Sequence, residues 1–239
     1  MLQVVAVLLA GFVTAITGFG FNAVSLPLLA VAFESHHAVV VGLILALPIF
    51  CLVLALPGVR HAIDVSMVVK LFLWSLPGLP LGALLLRVLD ERTLRVLIGG
   101  ATFVYAAGQL WGVMPSPPAT RRVIGYVGFL SGVLSSSVSL GGTPVMLYLI
   151  ALGRSPRDLR ATAVAYVILS TLGSLVALSW TGLVDGAAIS DALALAPVAL
   201  VGFGAGALAF RYFSTRLFIR LTLMVVAAGG AVALTAGLS

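Results

Sequence analysis

One polar stretch in the second half of the chain decides the fold: residues 135–149, SSSVSLGGTPVMLYL. Its two glycines weaken a helix, and Pro144 lacks the backbone N–H donor that an uninterrupted helix needs. Thr143 and Pro144 nonetheless suit a helix start, because a Thr hydroxyl caps free N–H groups and Pro fits the first helical position. The stretch therefore predicts a helix that stops and restarts inside a membrane, with the partly positive N-terminus of the second helix in the bilayer interior.

The composition places the whole chain in a membrane. Of its 239 residues, 62% are hydrophobic and 8% are charged, whereas soluble domains carry about 25% charged residues. The net charge of +6 comes from basic residues in short loops and at helix ends, where they orient a membrane protein. Nucleic-acid binding is therefore excluded. Cys51 is the single cysteine, so neither a disulfide framework nor a cysteine metal site is expected, and we expect no metal and no cofactor.

The apolar segments predict an all-α polytopic membrane protein built from two homologous repeats. We expect a first repeat over 1–113, a linker over 114–122 and a second repeat over 123–239, as in transporters that contain internal repeats. Each repeat starts with a broken helix pair and makes about four crossings, since roughly 20 apolar residues span a bilayer. The segments are 2–17 with 23–33, 38–57, 65–86 and 96–113, and then 123–139 with 144–152, 161–180, 189–210 and 221–238.

Glycine spacing supports this duplication. Gly11 and Gly20 are as far apart as Gly132 and Gly141. The same register sets Asn22 of the first break against Thr143 of the second, and both residue types are good helix N-caps.

Depth arithmetic places both breaks near the middle of the bilayer. Thr143 precedes the basic residue Arg154 by about ten residues, which is roughly 15 Å of helix and half of a hydrocarbon core roughly 30 Å thick. Asn22 lies at a similar distance from Glu34. Half-helices whose N-termini meet near the midplane form a site for an anion.

Basic loops set the expected orientation, since cytoplasmic loops carry an excess of Lys and Arg. This assignment counts each broken pair as one crossing, makes the two halves parallel repeats and places both termini outside the cytoplasm. A five-plus-five inverted arrangement is the alternative. The arginines of the three loops taken as cytoplasmic are Arg87, Arg92, Arg95, Arg154, Arg157, Arg160, Arg211, Arg216 and Arg220.

Two motifs carry a resemblance to a known family. The first is Gly-x-x-Thr-Ala-x-x-Gly-Phe-Gly over residues 11–20, and the second is LGGTPVMLYL over 140–149, followed by Arg160-Ala161-Thr162. Together they resemble the TauE/SafE sulfite exporter family, also called the 4-toluenesulfonate uptake permease family. The resemblance covers nearly the whole chain and implies a permease for small anions, chiefly sulfite or organosulfonates. The chain departs from the family pattern at Phe21-Asn22 and at residues 135–137, and these departures concern the substrate more than the fold.

The candidate substrate-binding residues surround the two breaks. Each residue type has a structural alternative. Glycines also permit close helix packing, serines also bond back to their own helix, and Tyr148 also suits the core. The packing alternative also applies to four glycines outside the candidate set: Gly11, Gly132, Gly202 and Gly206. We favour a hydrated cavity because each glycine run ends at a predicted cap. The candidates are Gly18, Phe19, Gly20, Asn22, Ser136, Ser139, Gly141, Gly142, Thr143 and Tyr148.

His37 and Arg160 are candidate gate or electrostatic residues, because they take the same place in the repeat register. There they would attract anions to the inner mouth of each half. The alternative for Arg160 is that its long side chain reaches out to the membrane surface.

These features predict a secondary permease that exports a small sulfur oxyanion or sulfonate by alternating access. No acidic residue falls clearly in the middle of a span, and an inside-negative potential drives anions outward. The alternatives are ion-coupled uptake and a non-transporting membrane subunit. We expect no enzyme, because paired carboxylates, a metal-ligand cluster and a Ser–His arrangement are all lacking. The expected partners are the anion and the bilayer, in a bacterial inner membrane, and a homo-oligomer remains open.

Overall fold

The computed structural model describes residues 1–18, 20–94, 96–98, 100 and 120–209. These residues are almost entirely helical, and no strand occurs among them. The helices are α1 (Leu2–Thr17), α2 (Phe21–Ala32), α3 (Ser35–Ala55), α4 (Val65–Ser75), α5 (Gly78–Val88), α6 (Arg121–Val138), α7 (Gly142–Ala151), α8 (Pro156–Thr181) and α9 (Gly186–Ala209), with a 3-10 turn at Arg60–Ala62.

Three of the described helices are long and apolar enough to cross a membrane: α3, α8 and α9. The predicted span 65–86 is two helices, α4 and α5, that meet at an angle of 47°. The bend falls at Pro77, which caps α5 and lacks the N–H that would continue α4. The predicted span 221–238 and nearly all of 96–113 lie outside the described residues. The apolar helices α3, α8 and α9 fit a membrane protein.

The main hydrophobic core surrounds α3. Val40, Leu43 and Ile49 of α3 are fully or almost fully buried, and they belong to a cluster that includes residues of α1, α2, α5 and α9. A second cluster joins α4, α7 and α8 and includes Met67 and Tyr166. Because Leu178 of α8 belongs to the first cluster and Tyr166 to the second, this long helix links both clusters.

Close crossings of glycine-bearing helices join the two halves. A Cβ atom at Gly11 of α1 would overlap the carbonyl oxygen of Ala199 in α9, and one at Gly132 of α6 would overlap that of Ser75 in α4. The backbones touch there because glycine has no side chain. For these two glycines, and for Gly202 and Gly206, the structure supports the packing alternative.

The two crossings repeat each other residue by residue. Gly78 and Gly82 of α5 meet the carbonyls of Phe129 and Val133 in α6, and Gly202 and Gly206 of α9 meet those of Leu8 and Phe12 in α1. Leu8 and Phe129 are 121 positions apart, as are Phe12 and Val133. The first helix of each half thus packs on a helix of the other half in an equivalent way.

Equivalent helices of the two halves nevertheless run in opposite directions. Arg157, in the first turn of α8, donates to the carbonyl oxygen of Gly58, just beyond the end of α3, at 3.0 Å. At the other face, His37 near the start of α3 lies 2.9 Å from Asp191 near the start of α9, which follows the end of α8. We call these the Arg157 face and the Asp191 face. Since α3 and α8 are antiparallel, the expectation of parallel repeats is wrong.

The first broken pair turns back instead of crossing. Helix α1 runs parallel to α9, because Leu8 and Phe12 meet Gly202 and Gly206 in the same order. It therefore runs away from the Asp191 face, and α2 returns to that face, where α3 begins at Ser35.

The second pair turns back from the other face. Helix α6 runs parallel to α5, and Arg154, just after α7, pairs with Asp64 at the start of α4 at 2.8 Å. Both pairs turn back on themselves as hairpins, so the expectation that each pair counts as one crossing is wrong. A hairpin and a kinked span have the same local sequence signals, and only packing against distant helices separates them.

Candidate functional site

One cavity, with a volume of about 50 Å³, lies between the tips of the two hairpins. It exceeds the roughly 10–15 Å³ that one water needs, so it has room for a small polyatomic solute. Its walls come from the starts of α2 and α7, from the end of α6, and from α3 and α8. The lining residues include Gly20, Phe21, Asn22, Ala23, Ser135, Ser139, Gly141, Gly142, Thr143, Ser170 and Thr171.

The first hairpin turns through glycines with left-handed backbone. Gly18 ends α1 with φ of 84°, and Gly20 precedes α2 with φ of 91°. Residues with a side chain rarely adopt this conformation, and at Gly18 a Cβ atom would also overlap the side chain of Arg160. Gly20 lines the cavity, whereas Gly18 packs on Arg160. Phe19 lies outside the described residues.

The second hairpin makes the equivalent turn with a serine. Ser139 ends α6 with φ of 54° and is the single non-glycine residue with positive φ in the described part of the chain. Its Oγ accepts a hydrogen bond from Asn22 Nδ2 at 2.7 Å. This contact joins the tips of the two hairpins directly.

Asn22 and Thr143 do not cap their helices, so that prediction is wrong. The cap positions belong to Gly20 and Gly141, neither of which offers a side chain, while Asn22 and Thr143 lie inside the first turns. The first N–H groups of a helix have no intrahelical partner, so the donors at the starts of α2 and α7 are left without side-chain caps. Both helix starts line the cavity.

Asn22 is 6% exposed. Its Nδ2 is used by Ser139, and its Oδ1 has no hydrogen-bond partner among the described residues. Because Ser139 Oγ accepts from Asn22, its own hydroxyl hydrogen remains available to an occupant of the cavity. The tip contact thus orients Ser139 as a donor.

The serine run divides into cavity-lining and structural residues. Ser135 and Ser139 line the cavity. Ser136 instead donates to Ser174 of α8 at 3.0 Å, and Ser137 bonds back to Val133 of its own helix at 2.7 Å. Ser136, a predicted binding residue, therefore joins α6 to α8 without lining the cavity.

A second set of hydrogen bonds fixes the chain segment between α6 and α7. Tyr166 of α8 donates to Ser131 at 2.7 Å, and Ser131 donates to the carbonyl oxygen of Gly141. The chain between Ser139 and Gly142 is therefore anchored to α8.

Three further predicted residues lie away from the cavity. Tyr148 is 3% exposed and belongs to the core cluster between α4 and α8; its hydroxyl has no partner among the described residues. His37 pairs with Asp191 at the Asp191 face. Arg160 donates through Nη2 to the carbonyl oxygen of Ala15, near the end of α1, at 3.3 Å.

The wall supplied by α8 was not predicted from the sequence. Ser170 and Thr171 line the cavity and are 1% and 2% exposed. Their signal was a pair of adjacent hydroxyl residues in an otherwise apolar span, with Ser174 one turn later. The cavity also reaches Leu43 and Phe50 of α3, which carry no polar signal.

The chemistry of the wall is that of a donor site without charged side chains. None of the described residues that line the cavity is ionisable. Backbone N–H groups at the two helix starts and the Ser139 hydroxyl can donate to an occupant. The Ser135 and Ser170 hydroxyls already donate to carbonyl oxygens of α8, and the Thr143 N–H donates to the carbonyl oxygen of Leu140. The partial positive charge of a helix N-terminus favours an anion.

Comparison with known proteins agrees with this chemistry. The family model described as Sulfite exporter TauE/SafE matches residues 3–234. No curated protein and no solved structure matches the chain. Because the family model covers nearly the whole chain and its members are membrane transporters, the protein belongs to the TauE/SafE sulfite exporter family.

Proposed function

We propose that the protein is a secondary permease for a small sulfur oxyanion, with sulfite as its first candidate and small organosulfonates next. The observation that carries the proposal is a cavity between the hairpin tips, lined by the N-termini of α2 and α7. Uncapped N–H groups and hydroxyls surround it, and such donors replace the hydration shell of an anion. The family match supports sulfur anions as the class of substrate.

We propose alternating access through two inverted repeats. The equivalent glycine crossings between the halves support an internal duplication, and the antiparallel course of α3 and α8 supports its inversion. In this mechanism the hairpins enter from opposite faces and meet at the substrate, near the midplane. Rocking of one half against the other then opens each face in turn.

We propose a multi-pass orientation in the bacterial inner membrane with the Arg157 face in the cytoplasm. Among the described residues, Arg60, Arg154 and Arg157 lie at that face. Arg87 and Arg92 flank Glu91, which accepts a hydrogen bond from Ser35 N at the Asp191 face, so this orientation does not keep all three arginine loops in the cytoplasm. Cytoplasmic loops favour basic residues. In this orientation α1 begins outside the cytoplasm, and Arg160 lies on the cytoplasmic side of the first hairpin tip.

Export is the proposed direction. An inside-negative potential favours outward movement of an anion by about 2.3 kcal/mol per charge per 100 mV. No coupling ion is required for export, whereas uptake against that field needs one.

The test is sulfite efflux from proteoliposomes under an imposed potential. We expect efflux to rise when the sulfite-containing lumen is made negative. The double variant Asn22→Leu with Thr143→Val should lose most of the flux, because it removes polar groups from both hairpin starts. Ser137→Ala is the matched control, since Ser137 bonds only within its own helix. Flux that ignores the potential would contradict electrogenic export, and a fully active double variant would contradict the site.

A further inference from the structure

We infer that the cavity accepts singly charged oxyanions, such as hydrogen sulfite and small alkanesulfonates, and excludes doubly charged ones, such as the sulfite dianion and sulfate. This inference rests on the proposed function. It follows from the positive charge that the surroundings of the cavity supply.

Four helix ends meet at the two hairpin tips. The N-termini of α2 and α7 each carry a partial charge of about +0.5, and the C-termini of α1 and α6 each carry about −0.5. These partial charges nearly cancel as a set. The described residues that line the cavity add no ionised side chain. Any net charge that the described residues bring to the tips must therefore come from a group behind the wall.

Arg160 is that group. Its Nη2 donates to the carbonyl oxygen of Ala15, and its side chain packs against Gly18, two residues before the cavity-lining Gly20. Among the described residues, no acidic side chain forms a salt bridge with it. The guanidinium, which stays protonated, offsets the negative C-terminus of α1 and leaves about one unit of positive charge at the tips.

One compensating charge suits one anionic charge. The cost of moving an ion out of water rises with the square of its charge, and an unpaired buried charge is strongly disfavoured. A dianion would bring about four times the desolvation cost of a monoanion to the same single positive charge. The buried Asn22 in the wall, whose Oδ1 lacks a partner, adds an acceptor that disfavours further negative charge. A protonated oxyanion, by contrast, has a hydrogen to donate.

The competition test uses proteoliposomes loaded with labelled sulfite near neutral pH. Methanesulfonate, a monoanion, should inhibit sulfite efflux on the order of ten-fold more strongly than sulfate, a dianion. Equal inhibition by sulfate would overturn the inference and leave the proposed function intact. Absence of any protein-dependent sulfite efflux would instead refute the proposed function, so the two failures are distinguishable.

A pH series gives a second readout. At constant total sulfite, efflux should fall as rising pH converts hydrogen sulfite into the dianion, whereas methanesulfonate efflux should stay level. The methanesulfonate series controls for titration of the protein itself, and protein-free vesicles correct for passage of sulfur dioxide through lipid. Sulfite efflux that is maintained or rises with pH would overturn the inference.

Variants at Arg160 test the source of the charge. Arg160→Gln should weaken inhibition by methanesulfonate on the order of ten-fold, and Arg160→Lys should keep most of it, because it preserves the charge. Arg157→Gln is the matched control, since Arg157 is an exposed residue of the same helix that bonds Gly58. Equal effects of Arg160→Gln and Arg157→Gln would overturn the role of Arg160. If Arg160→Gln does not fold, Arg160→Lys still shows whether a positive charge at this position is sufficient. The competition test still shows whether the cavity prefers monoanions to dianions.

Discussion

Two glycines of α9, Gly202 and Gly204, allow a sharp test of the helix crossing between the halves. A Cβ atom at Gly202 would overlap the carbonyl oxygen of Leu8 in α1, whereas one at Gly204 would meet no atom within 4 Å. The change Gly→Ala is the same at both positions, and both lie in the interior of the same helix. Each gains roughly 0.5–1 kcal/mol of helix propensity, so this gain cancels in the comparison.

The difference between the two variants therefore measures the crossing itself. Overpacking of a tight contact costs about 1–3 kcal/mol, so Gly202→Ala should be less stable than Gly204→Ala by that amount. At about 2–4 °C per kcal/mol for a chain of this size, thermal unfolding in detergent should place their Tm values several degrees apart. Gly78→Ala, which meets the carbonyl of Phe129 at the equivalent crossing, should behave like Gly202→Ala. If Gly202→Ala melts no lower than Gly204→Ala, the close crossing is not present in the folded protein.

Three further predictions concern the hairpins and the Arg157 face. Asn22→Leu should lose flux but change the free energy of unfolding by no more than about 1 kcal/mol, because the lost bond to Ser139 is offset by removal of an unpaired buried acceptor; a collapse in stability would contradict this account. Ser139→Gly should fold, whereas Ser139→Val should be less stable by about 1–3 kcal/mol because a β-branched residue does not suit positive φ, and thermal melts of equal midpoint would argue against the left-handed turn. Arg154→Ala should cost about 1 kcal/mol or less in chemical denaturation, since its pair with Asp64 is partly exposed, and a larger loss would mean that the pair anchors the second hairpin.

The class of the protein and the position of both helix breaks could be predicted from the sequence. Apolar composition identifies a membrane chain. Helix breaks are marked by glycines, which free the backbone, at Gly18, Gly20 and Gly141, and by a proline, which restricts it, at Pro144. Such signals act within a few residues, so they need no knowledge of the fold. The motif around the second break also identified the family, which the family model confirms.

The exact helix starts were not predictable from the same residues. Asn22 and Thr143 have the chemistry of caps, but each helix begins at the residue before it. Asn22 is instead held by Ser139, a residue 117 positions away. A long-range hydrogen bond outweighs a local cap preference once the two hairpin tips come together.

The direction of each hairpin was decided by tertiary structure alone. Glycine spacing revealed equivalent segments, but a kinked crossing and a re-entrant hairpin have the same spacing. The contacts of Arg157 with Gly58 and of His37 with Asp191 settle the directions, and they join residues far apart in the chain. The sequence by itself determined that two polar breaks interrupt an apolar chain, because backbone freedom is a local property. Only the tertiary structure decided that the breaks face each other from opposite sides, with α8 as a shared wall, because that depends on which distant helices pack closely enough to touch.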